Sequence, residues 1–198
     1  MKIKHLILII LSLILVVPVV YADDYQDGVD AFDKKDFKAA LKKLKPLAEK
    51  GHAKAQNKLG EIYANEEGVS HDYKEAFKWD QLAGEQGLAD AQYRLGLSYE
   101  KGQGVPQDYK EALKWYRLSA EQGFAESQFT FGLMYSKGQG VPQDYKEAVR
   151  WYRLAAEQGD AKAQYNLGFM YLEGHGVPQD YKEVVRLFHL SAEQGDAL

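Results

Sequence analysis

Nonpolar and small residues recur at intervals of three and four positions in the stretch 89–101. Ala91, Leu95 and Tyr99 lie four residues apart, and Gly96 lies on the adjoining row. A period near 3.6 residues with one nonpolar face is typical of an amphipathic helix. The pattern therefore predicts a helix over 89–101.

A short connection and a second helix follow. Gly102 supplies a left-handed residue that ends the first helix, and the segment GQGVPQ contains two glycines and a proline, which cannot continue it. Asp108 is the predicted N-cap of the second helix, and Glu111 completes an acidic version of the capping box. This helix is expected to run to about Gln122, where Gly123 stops it.

The same two-helix pattern recurs with a period of 36 residues. Residues 89–124 and 125–160 are identical at about 25 of 36 positions. Such self-similarity is typical of solenoids, in which each unit buries its nonpolar face against its neighbours. The predicted units lie within the region 53–198 and are 53–88, 89–124, 125–160 and 161–196.

A glycine in the middle of the first helix recurs in every unit. Glycine in a helix costs about 1 kcal/mol relative to alanine, so four repeated glycines indicate a packing requirement. We expect the two helices of a unit to approach closely at Gly96 and Ala112, and Gly96→Ala to destabilise the protein.

The repeated motif A-x-A-Q-Y-x-L-G-x-x-Y-x-x-G-x-G-V-P-x-D-Y-x-x-A-x-x-W-Y-x-x-A-A-E-Q-G resembles the Sel-one-like repeat (SLR) family over about 53–195. This family is related to tetratricopeptide repeats. The resemblance implies an all-α fold, a right-handed α/α solenoid (superhelix), which in this chain comprises about five helix-turn-helix units. The composition of the first residues separately predicts a signal peptide before them. The resemblance also implies an adaptor in protein complexes, with bacterial examples in envelope regulation, exopolysaccharide systems and host-cell interaction.

The segment 23–52 departs from the 36-residue motif. Gly28 and Ala40 are 12 positions apart, whereas Gly60 and Ala76 are 16 apart, so its inter-helix loop is four residues shorter. That spacing resembles an ordinary tetratricopeptide unit and predicts an N-terminal capping unit.

The first residues have the composition of an export signal. Lys2 and Lys4 precede a nonpolar run over 6–20, and small residues lead to a predicted cleavage after Ala22, so that 1–22 is a signal peptide. An uncleaved membrane anchor is the alternative, although the run is shorter than the ~20 residues that span a bilayer. We expect a periplasmic or secreted protein without membrane insertion after cleavage. Attachment of lipid to a cysteine is excluded because the chain has none.

Charge and motif content argue against several functional classes. The net charge is −4 and the pI is near 5.8, which disfavours nucleic-acid binding. The motifs G-x-S-x-G and H-E-x-x-H and the P-loop are missing from the sequence. The histidines after the leader do not form an i, i+4 pair: they are His52, His71, His175 and His189. We therefore predict no enzyme activity, no cofactor and no metal.

The first helices of the units carry the candidate partner-binding residues. In tetratricopeptide-like solenoids these helices line a concave groove that binds extended or helical peptides. The positions three before and one after the repeated glycine are Tyr93, Leu97, Phe129, Leu133, Tyr165 and Phe169. A charged rim of Glu100, Lys101, Lys137 and Glu173 is expected beside them. The alternative is that these nonpolar side chains pack against the next helix. The repeated tryptophans, one in each of the first three units, are expected to pack between units.

The preferred hypothesis is a non-enzymatic scaffold or adaptor that binds a protein or peptide in this groove. One alternative is β-lactamase-like or cell-wall-related activity, as described for some cysteine-rich relatives, although this chain lacks cysteine and a serine–lysine nucleophile arrangement. Another is a structural protein that self-associates weakly through its C-terminal end. There Val184, Leu187 and Phe188 replace the usual alanine, tryptophan and tyrosine, and are expected to leave a nonpolar face uncovered.

Overall fold

The structure is a computed structural model that describes residues 24–65 and 72–195. Within these residues all regular secondary structure is helical, and ten helices follow one another in antiparallel pairs. The all-α helical repeat solenoid predicted from the sequence is therefore confirmed. The first helix, α1, spans 24–33. The others are α2 (Phe37–Glu49), α3 (Ala53–Ala64), α4 (Tyr73–Glu85), α5 (Ala89–Lys101), α6 (Tyr109–Glu121), α7 (Ala125–Lys137), α8 (Tyr145–Glu157), α9 (Ala161–Glu173) and α10 (Tyr181–Glu193).

The helices belong to two compact units, which meet in sequence between Gln86 and Gly87. In the first unit, side chains from α1 to α4 enclose one nonpolar cluster that includes Leu44, Leu59 and Trp79. In the second unit, each helix packs against the next along the chain, from α5 to α10. Two successive clusters lie between these helices, one around Tyr116 and one around Tyr152.

The second helix of each repeat begins at an aspartate. The carboxylates of Asp72, Asp108, Asp144 and Asp180 each accept hydrogen bonds from the backbone N–H groups two and three residues later. The predicted capping box is wrong in one of its two interactions, because the Glu111 side chain does not accept a hydrogen bond from the backbone N–H of Asp108. The Glu111 carboxylate pairs with Lys114, and the backbone N–H of Asp108 donates to the Tyr99 carbonyl at 2.9 Å. The connection thus satisfies the donor that the glutamate would have capped.

Glycines end the first helices and admit a close contact between repeats. Gly102 caps α5 at φ +69°, as expected from the sequence. The second glycine of the loop has a separate role. A Cβ on Gly140 would lie 2.5 Å from the Tyr109 carbonyl oxygen, and one on Gly176 would lie 2.3 Å from that of Tyr145. Each loop therefore rests on the backbone that begins the second helix of the preceding repeat.

The mid-helix glycines mark where paired helices come closest. A Cβ on Gly96 would lie 2.5 Å from ring carbons of Tyr116, and one on Gly132 would lie 2.9 Å from the ring of Tyr152. The sequence predicts that Gly96 contacts Ala112, but the observed contact is Tyr116, one turn further along α6. The close approach itself is observed, but an aromatic ring rather than a methyl group occupies the crossing.

The predicted uncovered face of α10 needs correction. Val184 and Leu187 are only 7% and 2% exposed, and Leu187 belongs to the cluster around Tyr152. Phe188 is half-buried. The exposed nonpolar residues of α10 are instead Tyr181 and Val185, at 65% and 69%.

Two predictions fall outside the described residues: the leader 1–22 with its cleavage after Ala22, and the loop histidine His71. Across 24–65 and 72–195, no helix is both long enough and nonpolar enough to cross a bilayer.

Candidate partner-binding surface

The six predicted groove residues lie on α5, α7 and α9, two on each helix. Five of them are half-buried: Tyr93, Leu97, Phe129, Leu133 and Tyr165. Phe169, on α9, is 43% exposed. We refer to these six residues as the nonpolar stripe.

Three members of the nonpolar stripe pack their rings against the partner helix of their own repeat. The ring centroids of Tyr93 and Tyr116 lie 5.7 Å apart, and those of Tyr165 and Phe188 lie 5.3 Å apart. The ring centroids of Phe129 and Tyr152 lie 5.9 Å apart. These contacts contribute about 0.5–1.5 kcal/mol each beyond their burial. Tyr93, Phe129 and Tyr165 therefore support the hairpins and offer only part of their rings to a partner.

The remaining members differ in exposure from repeat to repeat. Leu97 packs against the cluster around Tyr116, and Leu133 packs against the cluster around Tyr152. Phe169 belongs to neither cluster. The solvent-facing part of the stripe is therefore concentrated on α9.

Tyr93 also connects α5 to α7 and meets acidic groups there. Burial raises the pKa of the Tyr93 phenol, and the neighbouring Thr130 hydroxyl partly opposes this. The carboxylates of Glu126 and Asp160 add to the rise. The N-terminal ends of α7 and α9 thus place negative charge near the tyrosine hydroxyl.

Asp160 is the N-cap of α9 and is itself perturbed. Burial raises its pKa, a hydrogen bond from the backbone N–H of Ala163 at 2.6 Å lowers it, and the charge of Glu126 raises it further. The charged carboxylate is thus held in an environment that favours its neutral form.

The charged rim is observed only in part. Lys101, Lys137 and Glu173 are exposed. Glu100 is not a free rim residue, because its carboxylate accepts a hydrogen bond from the Tyr116 hydroxyl at 2.6 Å. Burial and this hydrogen bond both raise the pKa of Tyr116. Glu100 therefore joins the two helices of its repeat.

Sequence reasoning missed a series of glutamine pairs. In each repeat a glutamine at the end of the second helix donates to a glutamine in the first turn of the first helix: Gln86 to Gln56, Gln122 to Gln92, Gln158 to Gln128 and Gln194 to Gln164, at 2.7–3.0 Å. Gln56, Gln128 and Gln164 also donate to a carbonyl of the preceding helix. The glutamine that recurs before the helix-ending glycine, as Gln122 does before Gly123, is the sequence signal for these pairs.

The histidines are separately placed. His52 caps α3, its Nδ1 accepting from the Ala55 backbone N–H at 3.1 Å. His175 stacks on Tyr145 with ring centroids 4.5 Å apart, and His189 lies 3.4 Å from Glu193. Among the residues that the structure describes, no group of three histidine or acidic side chains is arranged to hold a metal ion.

Two of the three tryptophans are core residues, as predicted for packing. Trp79 is 7% exposed and Trp151 is 6% exposed, and Trp151 packs edge-on to Phe131 with ring centroids 5.0 Å apart. The guanidinium of Arg150 lies over the Trp151 ring at 5.1 Å. Trp115 is half-buried.

Comparison with known proteins places these features in context. The Sel1 repeat family model matches residues 53–88, 89–124, 125–160 and 161–196. No match was found among curated proteins.

Solved structures similar to the chain include three repeat proteins of the Sel1 or SLR type. A Sel1 repeat protein from Oxalobacter formigenes is 38% identical with a TM-score of 0.82, over 88% of this chain and 69% of that one. A protective antigen of uropathogenic Escherichia coli strains that displays an SLR fold is 35% identical with a TM-score of 0.67, over 89% of this chain but only 46% of its own. A Sel1 repeat protein from Klebsiella pneumoniae shares the fold at 19% identity and a TM-score of 0.59, over 88% and 87% of the two chains.

Proposed function

The chain belongs to the Sel1 repeat family, whose members are generally protein-interaction scaffolds, and from that membership we propose that it is a non-enzymatic adaptor acting in the periplasm or outside the cell. It binds a protein or peptide along α5, α7 and α9. Its proposed role is in envelope regulation or host interaction.

The observation that carries this proposal is the nonpolar stripe and its exposed member. Phe169 presents 43% of its surface to solvent, and exposed charged side chains such as Lys137 and Glu173 flank the stripe. A nonpolar centre with a polar rim is the usual composition of a protein interface. The half-buried rings beside it are already ordered by stacking, so binding costs little side-chain entropy there.

Site-specific photo-crosslinking tests the proposal. A benzophenone amino acid is placed at Phe169 and, as a matched control, at Leu118 of α6, which is similarly exposed at 45%. We expect a defined covalent adduct from position 169 in envelope or culture fractions and none from position 118. Identical adduct patterns from both positions, or none from either, contradict the proposed surface.

The location outside the cytoplasm rests on the leader composition and has its own test. Mass spectrometry of the exported protein should give an N-terminus at Asp23, directly after Ala22. An exported chain that begins at Met1 contradicts cleavage and supports the membrane-anchor alternative.

Weak self-association through α10 stays a prediction, now assigned to Tyr181 and Val185. Their exposure of 65% and 69% leaves nonpolar surface on one helix. Sedimentation equilibrium should show a mass that rises with concentration and becomes constant in Val185→Lys. A constant mass for the unaltered protein contradicts this prediction.

A further inference from the structure

A cavity of about 210 Å³ lies between α8, α9 and α10. Its nonpolar part is formed by Leu167, Leu187, Leu190 and Ala156, together with Tyr171, and charged side chains complete the lining. This cavity is separate from the nonpolar stripe, and the inference drawn from it rests on the proposed function only in that the chain binds a protein. We refer to it as the α8–α10 pocket.

The preceding repeat shows what fills the corresponding space. One period of 36 residues earlier, Leu187 corresponds to Trp151 and Leu167 corresponds to Phe131. Those two rings pack edge to face with centroids 5.0 Å apart, and both are nearly inaccessible to solvent. The α8–α10 pocket therefore arises where two aromatic rings are replaced by leucine.

The exposure of the neighbouring alanine agrees with this origin. Ala120, which lies beside the Trp151 position, is 1% exposed. Its counterpart beside the pocket, Ala156, is partly accessible. The surface that an indole covers in one repeat is thus open in the next.

The rim supplies cations suited to an aromatic ring. Arg186 corresponds to Arg150, whose guanidinium lies 5.1 Å from the Trp151 ring. Arg186 is held at the rim by Glu183, with an Nη2–Oε2 distance of 2.7 Å. Arg153 is held at the opposite wall, where it donates to the Tyr171 hydroxyl at 3.1 Å. A guanidinium over an indole face is the most favourable cation–π pair.

We propose that the α8–α10 pocket binds the indole ring of a tryptophan side chain on a partner protein. The pocket volume exceeds the about 150 Å³ of a nonpolar cavity that is known to bind benzene. Its two arginines and two glutamates, Glu157 and Glu183, leave the rim without net charge. A neutral, electron-rich ring therefore fits it better than a charged aromatic ligand.

Methyl-detected NMR titration of the purified protein tests this assignment. The probe is N-acetyl-tryptophanamide, which carries the indole between two amide groups, and the matched probe is N-acetyl-leucinamide. We expect the tryptophan probe to shift the methyl signals of Leu167, Leu187 and Leu190 and to bind at least about tenfold more tightly, because it adds a cation–π contact to nonpolar burial. Equal affinity for the two probes, or shifts confined to other methyl groups, overturns the proposal.

Variants that fill the pocket separate it from nonspecific binding. Leu187→Trp restores the residue of the preceding repeat and should abolish binding of the tryptophan probe. Leu118→Trp adds the same side chain at an exposed position on α6 that does not line the pocket and should leave binding unchanged. Should Leu187→Trp fail to fold, Ala156→Leu fills the pocket from α8 and serves the same purpose. Probe affinity that survives in a folded pocket-filled variant overturns the proposal.

Discussion

At the scale of single residues, α5 can approach α6 this closely only because Gly96 has no side chain. A methyl group there would lie 2.5 Å from two carbons of the Tyr116 ring. The ring has no room to retreat, because Tyr116 is 0% exposed and its hydroxyl is bound to Glu100. We expect Gly96→Ala to lower the free energy of unfolding by about 1–3 kcal/mol in spite of the better helix propensity of alanine. Urea denaturation measures this change in the free energy of unfolding.

A double-mutant cycle is the control for this prediction. In a Tyr116→Leu background the clash is relieved, so Gly96→Ala should cost much less than in the unaltered protein. An equal cost in both backgrounds, or a raised Tm for Gly96→Ala alone, contradicts the packing that the structure shows.

The N-cap of α9 makes stability depend on pH. Burial raises the pKa of Asp160, so the folded state binds its proton more tightly than the unfolded state does. Charged Asp160 therefore opposes folding at neutral pH, and the penalty disappears as the pH falls through the raised pKa. Asp160→Asn keeps an N-cap acceptor and should raise Tm at pH 7 but have little effect near pH 3.

Thermal denaturation across this pH range measures the effect. The matched variant is Asp144→Asn at the N-cap of α8, whose carboxylate is exposed. It should show no comparable gain at pH 7. A loss of stability for Asp160→Asn at neutral pH contradicts the role of burial.

The residue-scale predictions from sequence were correct about which glycine mattered and wrong about its partner. Four glycines in register mark a close approach, since nothing else justifies their cost in a helix. Ala112 and Tyr116 lie one turn apart on the same face of α6, and local spacing does not determine where along that face the other helix crosses. Crossing geometry depends on side chains from both helices.

At the scale of helices, paired glutamines join the end of one hairpin to its beginning. Gln128 is 5% exposed, accepts from Gln158 at 2.8 Å and donates to the Ala120 carbonyl at 3.2 Å. Gln128→Ala removes both hydrogen bonds, of which the one to the Ala120 carbonyl is buried. We expect a loss of about 1–3 kcal/mol in the free energy of unfolding, because each hydrogen bond contributes about 0.5–1.5 kcal/mol.

Gln81→Ala is the matched substitution for this prediction. Gln81 is exposed and its amide donates to Glu85 on the same helix at 2.9 Å. Its removal should change stability by less than about 0.5 kcal/mol, as is usual for the surface. Equal effects of the two substitutions contradict a structural role for the glutamine pairs.

Helix boundaries were more predictable than these pairs. Gly102 and Asp108 carry their signals locally, through a positive φ and an N-cap carboxylate, so the limits of α5 and α6 follow from short motifs. The glutamine pairs join residues 30 positions apart, and only the fold brings those positions together. The sequence shows that these glutamines recur, but it does not show that they form hydrogen bonds with each other.

At the scale of the whole molecule, differences between near-identical repeats indicate where function resides. Leu97 and Leu133 pack against the cores of their repeats, whereas Phe169 at the same position is exposed. Sequence placed all three residues on one stripe. It could not rank them, because the depth at which each is buried depends on its neighbouring helices.

The affinity of the crosslinked partner tests the adaptor proposal most directly. Isothermal titration with that partner should give a Kd for Phe169→Ser at least about tenfold weaker than for the unaltered protein, because loss of a buried phenylalanine contact exceeds 1.4 kcal/mol. Leu118→Ser, which removes a similarly exposed leucine from α6, should leave the Kd unchanged. An unchanged Kd for folded Phe169→Ser, or an equal loss for both variants, would contradict partner binding along α5, α7 and α9.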